Sequence, residues 1–469
     1  MRKKISTIIV LIFIIAALRY SFLHVTALDA SLRVFYSIQG LSLFFAYYYT
    51  IIGYIGLFSL KKRPIINREK FHSFAVLVSA HNEEKVIGDI IDNLEQLYYP
   101  KNLYDVYVLC DNCTDNTAAI VKSKRHAITL ERNDPLRVGK GYGLEWAFDK
   151  LWELEDRGKK YDAIVMFDAD NLVSKSFLMF ANDKLLEGHE VIQGYLDCKN
   201  PTDNWITKAY AFSYWSTNRT FQLARENLGL SAQLGGSGVI VTTKVIKEIG
   251  WGSTSLTEDL EFSQRYILET GKRVAWAHDA KVYDEKPTGI RASWKQRVRW
   301  MSGHADCMVR YFPRMLKEAI RKGSLLHLDG AIYLVQPSRI VISSVLLFGV
   351  AISFIPAPGA YKFLLYGRLT FLNRWVALAG MLGYYSLPFV GLILEGKAKA
   401  IWWTVGTYIY SLTWMPITLL GIVRRKEKNW AHTQHARSMS INDLTLKSSD
   451  IIAMEEVYRC LEQAAAAKE

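Results

Sequence analysis

Two apolar stretches open the chain almost back to back, from about Ile5 to Leu23 and from about Val34 to Leu60. Three more follow late in the sequence, at about Ala331–Ile355, Trp375–Leu394 and Trp402–Val423. Their length constrains the fold more than any other feature, because it matches the ~30 Å hydrocarbon core of a bilayer. Half of the 469 residues are hydrophobic (50%), but the surplus sits in these end stretches while the middle carries ordinary globular patterning. Membrane segments flanking a soluble domain are therefore expected.

The first stretch follows Arg2, Lys3 and Lys4, as a signal peptide would. Its length, and the second stretch close behind, favour a helical hairpin with a cytoplasmic N-terminus. Lys61-Lys62-Arg63-Pro64 then stops the hairpin on the cytoplasmic side. The net charge of +13 gathers beside such apolar stretches, again at Arg424-Arg425-Lys426. Cytoplasmic flanks of membrane segments are enriched in Lys and Arg, and no zinc-finger, RNA-recognition or basic-repeat pattern appears. No nucleic-acid partner is expected. Cys110 and Cys113 form a lone C-x-x-C among five cysteines, read as ordinary thiols of a reduced compartment.

From about Phe71 the pattern changes. Phe74–Ala80, Val106–Cys110 and Ala163–Phe167 are short apolar runs of strand length, alternating with helical patterns. That alternation predicts a parallel sheet covered on both faces. Ligands of such sheets gather at the carboxyl ends of the strands. The three runs lead into His81-Asn82-Glu83-Glu84, Asp111-Asn112-Cys113-Thr114-Asp115 and Asp168-Ala169-Asp170, so the site is expected there.

Asp168 and Asp170 stand one residue apart and can approach one hard divalent cation together with substrate phosphates. By itself the pair also fits a solvated acidic turn. Val138-Gly139-Lys140-Gly141-Tyr142-Gly143 offers close backbone approach and a point charge for a phosphate. A plain glycine hairpin would read the same way, and no Walker A loop is present. Thr257-Glu258-Asp259 opens a helical stretch, either as a helix cap or with Asp259 as a general base. Gln296-Arg297-Val298-Arg299-Trp300 supplies two guanidinium groups for a diphosphate and an indole for a sugar face. Anchoring at a membrane interface suits the same residues.

In that order, Asp111, Asp168-Ala169-Asp170, Thr257-Glu258-Asp259 and Gln296-x-x-Arg299-Trp300 resemble the family-2 processive glycosyltransferases, the synthases of cellulose, hyaluronan, chitin and poly-N-acetylglucosamine. Ser79-Ala80-His81-Asn82-Glu83-Glu84 is similar to the family's first nucleotide-binding turn. The resemblance implies an α/β fold, a glycosyltransferase-A (Rossmann-like) cytosolic domain flanked by transmembrane α-helices. It implies a nucleotide-diphosphate sugar donor, usually UDP-linked, and Mg2+ or Mn2+ as cofactor. Ala80, Glu83 and Asp111 would hold base and ribose, and Lys140 would sit near the phosphates. Asp168 and Asp170 would meet diphosphate and metal, Asp170 being the better metal ligand. Asp259 would be the base within the Thr257-Glu258-Asp259 triplet. Gln296 and Arg299 would meet the diphosphate and Trp300 would border the acceptor. The family inverts the anomeric centre, so an α-linked donor gives a β-linked product. Gln233–Gly238 falls where the family has an acceptor-side loop, and Trp430–His435 resembles a gating segment.

The expected organisation is a transmembrane hairpin at 1–62, a catalytic domain at 63–293 and interfacial amphipathic helices at 294–330. Transmembrane helices at 331–423 and a polar tail at 424–469 follow. The expected partners are the donor, a growing polysaccharide acceptor, the lipid bilayer and accessory subunits, with the chain integral to the plasma membrane and its catalytic domain cytoplasmic. Single transfer to a lipid carrier and a silent partner subunit are the competing readings. Three crossings after the catalytic domain would leave the basic tail outside, although its charge and a gating role want it inside. Either one apolar stretch is interfacial rather than spanning, with Ala331–Ile355 (Asp329 beside it, Pro337 and Arg339 within it) the expected one, or there is a further crossing.

Overall fold

The computed structural model describes residues 30–58, 70–252, 254–353, 371–427, 435 and 437–444. The first leg of the expected hairpin, the 61–63 basic cluster, Trp430 and the tail beyond 444 lie outside the described residues.

The strands are β1 Phe74–Ala80, β2 Tyr104–Asp111, β3 Ala127–Arg132, β4 Ala163–Asp168, β5 Leu172–Val173, β6 Val191–Cys198, β7 Val239–Thr242 and β8 Ala275–Asp284. Helix α1, Ala30–Phe58, precedes them. Between the strands run α2 Ile87–Glu95, α3 Thr117–Ser123, α4 Lys140–Asp156, α5 Phe177–Leu186, α6 Trp205–Thr217, α7 Ala224–Leu228, α8 Thr243–Ile249 and α9 Glu258–Thr270. After β8 come α10 Ile290–Lys322, α11 Leu325–Leu334, α12 Gln336–Ser353, α13 Phe371–Leu394, α14 Thr404–Leu412 and α15 Trp414–Val423.

Alternate residues of β1 feed two apolar layers, as the period of a strand requires. Phe74, Val76 and Val78 pack on one face with Ile90 of α2 and Leu178 of α5. Ala75 and Leu77 pack on the other with Leu144 of α4 and Trp215 of α6. Leu392 of α13 and Ala400 belong to that second layer, so residues far beyond the catalytic segment close its core.

The sheet order is β3-β2-β1-β4-β7-β6-β8-β5. Strands β3, β2, β1 and β4 run parallel, with Ala80 level with Cys110 and Ser79 level with Asp168. The wholly parallel sheet expected from the sequence is corrected at β7, which is antiparallel to both β4 and β6, and at β5 against β8. The reason lies in the turn before β7. Gly236 (φ 81°) and Gly238 (φ 64°) hold the left-handed backbone that glycine alone adopts cheaply. That turn sits at the carboxyl edge of β4, so the strand leaving it must run back through the sheet.

The stretch expected as one span from Ala331 is likewise two helices, α11 and α12, broken at Val335 just ahead of Pro337. A buried ion pair fixes α11 to the domain. Arg225 of α7 donates from Nε to Asp329 Oδ2 and from Nη2 to Oδ1, both at 2.9 Å. Tyr48 of α1 donates to the same Oδ1 at 2.6 Å, and the guanidinium lies 3.5 Å over the Phe221 ring. Both ion-pair side chains are 1% exposed. Breaking such a pair from one side leaves an uncompensated buried charge, costing about 3–5 kcal/mol. Asp329→Leu should therefore lower the thermal unfolding midpoint in detergent, and Arg225→Leu added to it should restore most of the loss. A double variant no more stable than the single one would contradict this.

Candidate active site

Two loops at the ends of β1 and β2 brace each other. Asn82 (φ 55°) and Asn112 (φ 51°) are in the left-handed region, which asparagine tolerates better than most residues. Asn82 Oδ1 accepts from the Thr114 N–H at 2.7 Å, and Asn112 Oδ1 accepts from the Asp134 N–H at 2.8 Å. The Glu83 N–H donates to Thr117 Oγ1 at 2.8 Å, and His81 Nδ1 lies 2.7 Å from the Asp111 carbonyl oxygen. Arg132, at the end of β3, donates to Asp111 Oδ1 at 2.6 Å. Burial pushes the Asp111 carboxyl above its ordinary range, and Arg132 opposes the shift.

Lys140 begins α4 behind Gly139, whose φ of 136° lies in the left-handed region. Its ammonium pairs with Asp168 and donates to the Gly236 carbonyl at 2.6 Å. Burial would lower its pKa, but Asp168, then Glu258 and Asp259, outweigh that and raise it. Lys140 thus ties the end of β4 to the glycine turn before β7. Across that turn, a Cβ on Gly236 would sit 3.6 Å from Asp259 Oδ2.

Asp170 Oδ2 accepts the Glu285 N–H at 3.0 Å, and the Asp170 carbonyl accepts from Lys199 at 2.9 Å. His435 Nδ1 stands 2.9 Å from Glu83 Oε1, and its Nε2 stands 3.9 Å from Asp170 Oδ2. Burial alone would lower the His435 pKa. The carboxylates of Asp170, Glu83 and Glu285 overcome it and raise the value to about 10. Asp284 Oδ1, buried at the end of β8, has no hydrogen-bond partner. Burial pushes that carboxyl to about 6, Lys286 opposing the shift and Asp170 adding to it. So this end of the site is a nest of carboxylates held together by a few cations.

Thr257 stands at the N-cap of α9 without making a capping side-chain bond, and its buried hydroxyl is unpartnered. Helix α10 presses on it, since a Cβ on Gly303 would overlap the Thr257 side chain. Burial, and after it the Glu258 charge, raise the Asp259 carboxyl to about 7. On α10, Gln296 Oε1 accepts from Tyr210 at 3.0 Å, and Trp300 meets the Tyr210 ring edge-on at 6.4 Å. Buried Arg299 Nε has no hydrogen-bond partner. Arg297, expected beside Arg299, is turned away and donates to Thr413 at 2.8 Å. Residues two apart on a helix face opposite ways, which separates the two guanidinium groups.

The residues expected to meet donor, metal and acceptor proton line one cavity of about 410 Å³: Ala80, Glu83, Asp111, Lys140, Asp168 and Asp170 on one side, and Thr257, Glu258, Asp259, Gln296, Arg299 and Trp300 on the other. That is the size range of small-ligand sites. The cavity also holds Asp284, Glu285, Tyr333, Gln336, Trp414 and His435, for which sequence reasoning gave no role. Only His435 had a signal, as the last residue of the Trp430–His435 resemblance.

Residues 72–303 match the family model described as glycosyltransferase like family 2. A probable glycosyltransferase of Bacillus subtilis is 25% identical over 259 residues, 54% of this chain and 60% of its own length. The β-monoglucosyldiacylglycerol synthase of a Nostoc species is 28% identical over 253 residues, 52% of this chain and 51% of the relative. The poly-β-1,6-N-acetyl-D-glucosamine synthase of Staphylococcus aureus is 24% identical over 269 residues, 55% of this chain and 61% of the relative. The matched region thus spans between 51% and 61% of these relatives' lengths. A mannosyltransferase from Pyrobaculum calidifontis, solved with GDP-Man and Mn2+, aligns with a TM-score of 0.54 at 16% identity, covering 85% of this chain and 99% of that one. The shared fold is the glycosyltransferase-A α/β domain.

Proposed function

Residues 72–303 belong to the glycosyltransferase-like family 2, and on that premise we propose that this protein is an inverting, metal-dependent glycosyltransferase. Its donor is a nucleotide-diphosphate sugar, UDP-linked, and its acceptor is the end of a growing β-linked polysaccharide that is extruded across the membrane. One observation carries the reaction class: Asp259 faces the Lys140–Asp168 pair across a single cavity that also holds Arg299.

Ala80, Glu83 and Asp111 hold base and ribose, with Arg132 fixing the Asp111 carboxylate. Lys140 and Arg299 take the diphosphate, and the unpartnered Arg299 Nε is a donor ready for it. The carboxylates suit a hard cation, and Asp168 and Asp170 would hold Mg2+ or Mn2+. When bound, such an ion neutralises charge on the diphosphate. Asp259 takes the proton of the acceptor hydroxyl. That oxygen bonds to the anomeric carbon from the face opposite the departing diphosphate, and the donor's carbon–oxygen bond breaks. Trp300, Trp414 and Tyr333 border the acceptor as aromatic faces for a sugar ring.

The chain is integral to the plasma membrane in this reading, with the catalytic domain cytoplasmic. Among the described residues, Gly40–Phe58 and Ala398–Val423 are long and apolar enough to cross a bilayer. A single transfer to a lipid is the second reading. It is favoured by the cavity reaching Gln336, where α12 begins, and by the glycolipid synthase among the relatives.

Incubation of purified protein with a panel of UDP-sugars and Mg2+ or Mn2+ tests the reaction class. We expect nucleoside diphosphate release with one donor, abolished by EDTA and cut by about 10²–10⁴-fold in Asp259→Asn. A ladder of products supports the polysaccharide, and one glycolipid product supports the second reading. No release from any donor would contradict both.

The base must be unprotonated, so kcat/KM should fall as pH drops through about 7, the value to which Asp259 is raised. Glu258 contributes to that rise, so Glu258→Gln should move the acid limb to lower pH. An unmoved limb would assign it to another group.

A further inference from the structure

The segment Gln233–Gly238, expected from the sequence as an acceptor-side loop, supplies one wall of the cavity through Leu234, Gly235 and Gly236. Gly236 stands between two groups of the site. Its carbonyl accepts from Lys140 at 2.6 Å, and a Cβ on it would lie 3.6 Å from Asp259 Oδ2. In the proposed transfer, the bond that breaks joins the diphosphate, held by Lys140, to the anomeric carbon. The bond that forms joins that carbon to the oxygen whose proton Asp259 takes. The transferred sugar must therefore sit between those two groups, against Gly235 and Gly236. A turn built on glycine is soft unless something holds it.

The far end of the turn is fixed in the sheet, where the Gly238 N–H donates to the Met166 carbonyl at 2.9 Å and its carbonyl accepts from the Gly194 N–H at 2.8 Å. Ahead of Gly238, side chains hold it. Ser237 Oγ accepts from the Asp168 N–H at 3.2 Å and pairs with Asn171 Oδ1. Gln193 of β6 braces the turn from behind. Its Oε1 accepts the Gly235 N–H at 2.8 Å, and its Nε2 donates to the carbonyls of Ser237 and Gly194, both at 2.8 Å. Both N–H donors and the carbonyl of this carboxamide are thus in use, and the residue is fully buried. Only one orientation of the amide fits. Reversed, it would set its NH2 against an N–H and its oxygen against two carbonyls.

From this bracing we infer that Gln193 is a positioning residue for the transfer step, fixing Gly235–Ser237 and, through that turn, the spacing between Lys140 and Asp259 across the transferred sugar. The inference rests on the reaction proposed above. Lys140 is a poor fixed support for the turn, because its ammonium also pairs with Asp168 and must engage the diphosphate. Asn171 is tied to the site as well, its Nδ2 donating to Asp170 Oδ1 at 3.2 Å. Gln193 bonds only backbone groups of the turn and of its own strand, so its hold is the same whether the cavity is empty or filled. Enclosed as it is, Gln193 acts on the reaction only through the turn. An apolar side chain of equal length would leave the Gly235 N–H and the Ser237 carbonyl without these partners, and the turn would move to find others.

The test compares the full-length protein with Gln193→Met in detergent, using Mn2+ and the UDP-sugar that the unaltered protein turns over. Four quantities are measured: kcat for sugar transfer, the share of donor hydrolysed to free sugar, the Kd for UDP by titration calorimetry, and the thermal midpoint. A shifted turn should lower kcat by about 10²-fold, as a small misplacement of reacting groups does. The hydrolysed share should rise, because water needs no seated acceptor. The Kd for UDP should stay unchanged, since base and ribose are held at the ends of β1 and β2. A glutamine with a structural role alone would lower the midpoint and weaken UDP binding without raising the hydrolysed share. Should Gln193→Met not fold, Gln193→Glu fills the same volume, keeps the acceptor for the Gly235 N–H and loses both donors, and the same pattern is expected. Unchanged kcat in a folded variant, UDP binding lost in step with kcat, or failure of both variants to fold would overturn the positioning role and leave the reaction class standing. No turnover of any donor by the unaltered protein would overturn the reaction class and this inference with it.

Discussion

The register of four parallel strands is the constraint on which the site depends. Because Ser79 pairs with Asp168, Ala80 with Cys110 and Asp111 with Arg132, the ends of β1, β2, β3 and β4 form one edge. A slip by one residue would turn each strand's apolar set to the opposite face and carry Asp111 and Asp168 away from each other. The register is secured by burial, since Phe74 to Val78 are fully enclosed between two layers of side chains. Close apolar packing therefore holds two carboxylates at one edge, where Arg132 and Lys140 offset their repulsion.

The other half of the site comes from the glycine turn and from α9 and α10. Lys140 links the halves by touching both Asp168 and the Gly236 carbonyl. Glu261 anchors the start of α9 by accepting the N–H groups of Thr254 and Ser255 at 2.8 and 2.7 Å, and it also accepts from Tyr311 of α10 at 2.8 Å. The position of Asp259 is thus set by the helix that carries Arg299. A carboxylate and a guanidinium mounted on mutually braced elements keep their separation without help from a ligand.

Much of this edge was legible in the sequence because strand ends announce themselves locally. A short apolar run stops, a polar turn begins, and Asp111, Asp168 and Asp170 stand in the turns. The glycine-flanked Lys140 was legible for the same reason. Pairings between distant residues were not. Nothing local links Arg225 to Asp329, 104 positions away, or Tyr195 to Glu395, 200 positions away. The reversal of β7 was hidden because a four-residue strand reads the same in either direction. Arg297 and Arg299 could have been told apart, since helical period alone separates residues two positions apart.

If Asp259 deprotonates the acceptor for a single displacement at the anomeric carbon, the configuration there must invert. The measurement that tests this most directly is proton NMR of the newly formed glycosidic bond, made with an α-linked nucleotide sugar. A β-anomeric product is the result the account predicts. An α-linked product would require a second displacement or attack from the leaving-group face, and would contradict the role given to Asp259.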